Sequence, residues 1–136
     1  MDSEKNPRDI RWKQRFNNFK KALHRMEEGL NKTNPSDLEK AGIIKIYELS
    51  FELGWKTLKD YLESKAVKVK YPRDVVKESF KYEIIEDGDL WIEMLEKRNY
   101  MVHTYSEESA ELAYKLIKDK FYTALEQVYK KLGEEV

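Results

Sequence analysis

The chain has 136 residues, 40% hydrophobic and 38% charged, and its 26 Lys and Arg offset 26 Asp and Glu to a formal net charge of zero. That is enough apolar material for a single domain over residues 1–136, without the basic excess of a dedicated duplex binder. The lack of cysteine excludes disulfides, thiolate chemistry and Cys-based zinc sites, two isolated His residues make no metal site, and no apolar run is long enough to span a membrane; the expectation is a cytoplasmic chain with no cofactor and no membrane partner.

Asn6-Pro7 reads as an N-cap followed by Pro at the first helical position, and Trp12, Phe16, Phe19, Leu23, Met26 and Leu30 then recur at spacings of four and three. Gly29 to Pro35 interrupts this first amphipathic helix, and Ser36 with Glu39 makes a capping box for a second helix that runs to about Ser64. The second helix carries one apolar stripe through Ile44, Tyr47, Phe51, Leu58 and Leu62 and another through Ile46, Leu49 and Leu53, with Trp55 between them. Two apolar sides mark a helix that is central to a bundle or part of an interface. Val67 to Tyr71 reads as a loop leading to a short helix over about Arg73 to Tyr82, because Pro72 and Asp74 follow it. Asp89 is a candidate cap for a fourth helix through Leu90, Met94 and Leu95, continuing into Lys97 to Glu108 (KRNYMVHTYSEE). Ser106 can begin the last helix, whose stripe is Ala113, Ile117, Phe121, Ala124, Val128 and Leu132. The chain therefore reads as all-α, a bundle of four main helices plus a short one.

Two stretches are locally basic. Arg8 to Arg25 holds seven basic residues and one acidic, and Lys65, Lys68, Lys70, Arg73, Lys77 and Lys81 form the second; each is a solvated helix face or an anion-binding surface.

The motif Arg98-Asn99-Tyr100-Met101-Val102-His103-Thr104-Tyr105 concentrates chemistry at the end of an apolar-periodic segment. On a straight helix Asn99 and His103 share a face, whereas Arg98 and His103 are about 140° apart, so a composite site needs a bent helix end, a reaching arginine or a second copy of the chain. The residue types suit phosphodiester chemistry. His transfers a proton near neutral pH, Arg holds a phosphate oxygen and its developing charge, Asn can orient His, and Tyr can bind phosphate or a base. Attack by the RNA's own 2′-hydroxyl needs no metal. The structural alternative makes His103 a satisfied polar residue at a helix end, Arg98 a partner of Glu93 or Glu96, and Tyr105 a core aromatic.

R-N-x-x-x-H-x-Y resembles the signature of the HEPN superfamily, and its Tyr resembles that of the HepT-like toxins paired with a minimal nucleotidyltransferase. Phe51 to Glu63 (FELGWKTLKDYLE), Tyr71 to Phe80 (YPRDVVKESF) and Asp89 to Tyr105 (DLWIEMLEKRNYMVHTY) look like the branch called nucleotidyltransferase substrate-binding proteins. The resemblance implies an antiparallel helical bundle that forms a homodimer, with the motifs of two protomers facing one cleft. In its toxin branch it implies metal-independent RNA cleavage by Arg98, Asn99 and His103, and neutralisation by AMP added to Tyr105. In its other branch the same bundle is a noncatalytic subunit presenting substrate to the nucleotidyltransferase. Tyr82-Glu83 departs from the small turn residue usual in relatives.

His24 has no matching ligand array, and Trp55 and Trp91 read as core or interface anchors. Glu86, Asp87, Asp89 and Glu93 are assigned to helix capping. With neither a Gly-rich phosphate loop nor a G-S motif followed by paired carboxylates, the chain is not expected to transfer nucleotides itself.

Overall fold

The computed structural model describes residues 6–104 and 106–136. Its helices are α1 (Pro7–Leu30), α2 (Asp37–Ser64), α3 (Pro72–Lys81), α4 (Gly88–Glu96), α5 (Arg98–Val102), α6 (Glu107–Leu116) and α7 (Tyr122–Gly133), with a π-helical turn, Ile117–Phe121, joining the last two into one rod. There is no strand among the described residues. The all-α reading holds, with α3 as the short helix.

Local chemistry sets most of the boundaries. Asn6 Oδ1 accepts from the Arg8 amide at 2.9 Å, and Pro7 occupies the first turn of α1. Ser36 and Glu39 make the reciprocal capping box of α2, with bonds of 2.9 and 3.1 Å. The cap of α4 is Asp87, which accepts from the Leu90 amide at 3.0 Å, and not Asp89, which lies in the first turn. Ser106 caps α6 through the Ser109 amide. Val67 to Tyr71 is a loop: Val67 and Val69 turn inward against the core while Lys68 and Lys70 face outward.

Helices α2 and α3 both end in Schellman turns. The Val67 and Ile84 amides reach back to the carbonyls of Leu62 and Ser79, each at 2.9 Å, and place Ala66 (φ 64°) and Glu83 (φ 63°) in the left-handed region. The departure at Glu83 thus falls at the backbone position that favours glycine.

Pairs between helices fix the topology. Trp12 packs edge-on to Tyr61 at 4.9 Å, Arg15 Nε lies 3.2 Å from Asp60 Oδ2, and Gly29 abuts Ile43, so α1 and α2 run antiparallel. Glu93–Lys120 and Tyr100–Ser109 set α4–α5 antiparallel to α6–α7. The inner row joins Tyr47 to Phe51, Tyr47 to Phe121 and Phe51 to Trp91, with ring centroids 6.3, 5.7 and 5.8 Å apart. Ala113, Ile117 and Phe121 are each four residues apart, a spacing that drifts about 40° per step on an α-helix. The wider π turn takes up that drift and keeps all three buried. Asp60 is 5% exposed, and burial pushes its carboxyl above the ordinary value although Arg15 beside it acts the other way.

Gly54 sits where α1 and α7 meet α2: a Cβ there would lie 3.2 Å from Phe19 and 3.4 Å from Leu125. Gly54→Val is expected to lower unfolding stability by about 1–3 kcal/mol through overpacking. Glu83→Gly is expected to raise it by about 1 kcal/mol by relieving the left-handed backbone. Urea titration of both variants measures these opposite shifts.

Candidate functional site

The motif lies at a break. Helix α4 stops at Glu96, Lys97 turns, and α5 restarts at Arg98 for five residues, with His103 at its C-terminal boundary in a non-helical conformation (φ −109°, ψ 53°). The expected fourth helix is therefore two pieces, but the break precedes Arg98, so Arg98 and His103 remain separated by the one helical turn of α5. Met101, 1% exposed, pins α5 to the core, and the Tyr100 hydroxyl donates to the Ser109 carbonyl at 3.2 Å, tying α5 to α6. With Met101 turned in, Asn99, Val102 and His103 face outward and Arg98 is half-buried.

Arg98 pairs with neither Glu93 nor Glu96. Its Nη1 lies 3.6 Å from Oε1 of Glu52 on α2. The second carboxylate oxygen of Glu52 accepts from Trp55 Nε1 at 3.0 Å and lies 3.9 Å from Lys56 Nζ. Glu52 is the residue that sequence reasoning missed. Its available signal was position: it stands inside Phe51 to Glu63, three residues before Trp55, on a helix with two apolar sides. Trp55 is accordingly half-buried with its N–H engaged, whereas Trp91 is fully buried. Elsewhere on α2, Lys40 bonds to Glu111 on α6, which holds that carboxyl below the usual range and raises the lysine in turn.

Arg98, Asn99 and His103 thus share one short helix and its boundary, with Asn99 and His103 exposed and Arg98 half-buried toward α2. Tyr105 lies outside the described residues. The clefts of about 600 Å³ between α3 and the start of α4, and of about 440 Å³ between α1 and α2, are lined by other residues. No group of three or more His, Asp or Glu could hold a metal among the described residues, and His24 is exposed. No helix is long and apolar enough to cross a membrane. An arginine can bind an anion and an exposed histidine can exchange a proton, and α5 carries one of each at its two ends.

Fold and sequence together define a small helical-bundle protein with an Arg-Asn-x-x-x-His motif just after a helix break. A family model described as nucleotidyltransferase substrate binding protein like matches residues 14–134, and the chain belongs to that family. It is 31% identical over 84 residues to a Haemophilus influenzae protein named probable ribonuclease HepT, a match spanning 58% of each chain. A crystal structure of a Thermus thermophilus protein superimposes with a TM-score of 0.76 at 29% identity, covering 84% of this chain and 98% of that one. A Haemophilus influenzae structure, reported as revealing the fold of a substrate binding domain of a nucleotidyltransferase, superimposes with a TM-score of 0.76 at 24% identity, covering 87% and 98%; that likeness is one of fold.

Because Met101 holds α5 against the core, Met101→Ala is expected to cost about 2–4 kcal/mol. Hydrogen exchange should accelerate first over residues 98–104, before the α1–α2 hairpin opens.

Proposed function

We propose that the chain is the metal-independent RNase toxin of a toxin–antitoxin pair, of the HEPN superfamily and HepT-like, acting in the cytoplasm with a minimal nucleotidyltransferase as its partner. The observation that carries this reading is the break at Lys97, which sets Arg98 against Glu52 and leaves His103 on the open face at the far end of the same five-residue helix. Arg98 would bind a non-bridging phosphate oxygen. His103 would take the proton of the RNA 2′-hydroxyl as that oxygen attacks phosphorus, and return it to the departing 5′-oxygen, leaving a 2′,3′-cyclic phosphate. Asn99 would orient the histidine. The similarity to the protein named probable ribonuclease HepT supports this chemistry.

The second reading, a noncatalytic subunit that presents substrate to the nucleotidyltransferase, is favoured by the description of the family itself. Cleavage of RNA in EDTA separates the two. Under the toxin reading His103→Ala abolishes cleavage and Arg98→Ala lowers it by about a hundredfold or more, while both variants stay folded. Partner, ATP and magnesium add AMP at Tyr105, and Tyr105→Phe escapes it by intact mass and peptide mapping. Intact RNA together with unmodified Tyr105 would establish the binding-subunit reading instead.

A homodimer completes the proposal. Leu49, Val102 and Leu112 are 46, 51 and 53% exposed on α2, α5 and α6, which supports a second copy covering α2 and the α4–α5 face and bringing two motifs to one cleft. Sedimentation at micromolar concentration should give twice the mass of 16.4 kDa, and a strict monomer would remove the composite site.

A further inference from the structure

Helix α1 carries a polar strip with no place in this chemistry. Arg11, Gln14, Asn18, Lys21 and Arg25 are all exposed, recur at spacings of three and four, and fall within an arc of about 80°. At 1.5 Å per residue the strip runs about 21 Å, and no carboxylate of α1 lies on it: Asp9 and Glu27 project on another side and Glu28 comes after its end. Arg15, turned toward α2, is used structurally in its pair with Asp60. Among the described residues Lys21 and Arg25 form no ion pair, and Arg11 is only near enough to Asp60 to be felt by it.

We infer that this strip is a contact track for the phosphate backbone of RNA. The inference rests on the cleavage reading for the identity of the polyanion. No large apolar side chain stands on the arc, so a hydrophobic partner has nothing to bury there. Every residue offers N–H donors, which match phosphate oxygens. An acidic protein face also supplies acceptors, but an unbroken line of evenly spaced donors suits evenly spaced charges better than scattered carboxylates. No aromatic ring stands among the donors, so the track holds backbone without reading bases. Helix α2 packs against both α1 and α5, and its outward arc carries Lys45 and Lys56 paired with Glu48 and Glu52. The basic track is therefore the strip on α1 itself, and the surface between it and Arg98 is of mixed charge.

The test is binding of single-stranded 2′-O-methyl RNA, which cannot supply the attacking hydroxyl, measured from 50 to 300 mM salt with the wild-type chain, the triple variant Arg11→Gln/Lys21→Gln/Arg25→Gln, and the equally charged control Lys115→Gln/Lys118→Gln/Lys130→Gln. The strip variant should bind about tenfold or more weakly, with the slope of log K against log salt reduced by about 2, three contacts at roughly 0.7 each. The control should follow wild type. Equal affinities for wild type and strip variant would overturn the track while leaving EDTA-resistant cleavage untouched. Unchanged RNA binding with lost co-purification of the nucleotidyltransferase would overturn it in favour of a protein contact. A wild type that binds through the strip without cleaving would uphold the track and sink the RNase reading.

Discussion

Burial of α2 on more than one side is the constraint on which the rest of the structure depends. Its inward arc, including Ile43, Ile44, Tyr47, Phe51, Leu58 and Leu62, is close to fully buried, and it packs against α1, α3, α5, α6 and α7. Gly54 lets Phe19 and Leu125 approach its backbone from two helices, a closeness that no larger residue would allow without repacking. Polar contacts accompany the register that the apolar packing sets: Asp60 to Arg15 on α1, Lys40 to Glu111 on α6, and Glu52 to Arg98 on α5. Each joins α2 to a different neighbour. A shift of α2 along its axis would break all three together, so the position of the arginine is set by the central packing as well as by α5.

What could be read from the sequence was what depends on neighbours within a few residues. The Ser36–Glu39 box, the Asn6-Pro7 start and the Ser106 cap are local devices, and each appears where its residues stand. The stripe of α1 from Trp12 to Met26 is buried as its 3.6-residue periodicity predicts, whereas the stripe from Ala113 to Leu132 stays inside with the help of the π turn. The cap of α4 was ambiguous for the same local reason: Asp87 and Asp89 flank Gly88, and the pattern does not say which carboxylate reaches the free amides. The break at Lys97 had no local sign. Lys97 and Arg98 are good helix formers, the weaker Asn99 comes after the break, and neither Gly nor Pro stands there. The contacts holding the restarted helix are tertiary, through Met101 in the core and Tyr100 against Ser109 on α6. Glu52 was hidden likewise, since its partnership with Arg98 crosses about a third of the chain and no periodicity records it.

That partnership has a consequence for how an anion would be received. At 3.6 Å between Nη1 and Oε1, and with both side chains about 40% exposed, the pair is a screened surface interaction, not a buried lock. Glu52 is held independently of Arg98, because Trp55 donates to its other oxygen and Lys56 stands near. A phosphate arriving at Arg98 therefore need not displace the carboxylate. The guanidinium presents five donors and can turn one edge to phosphate while another remains toward Glu52. The carboxylate nevertheless lowers the local positive potential, so an isolated anion gains little there. A phosphate already held along a chain of other contacts loses far less by the same repulsion, because its local concentration is set by those contacts and not by Arg98 alone. Under the cleavage reading, a site tempered in this way would favour a polymer over a free nucleotide, and basic surface away from the motif would be part of what the arginine needs in order to act.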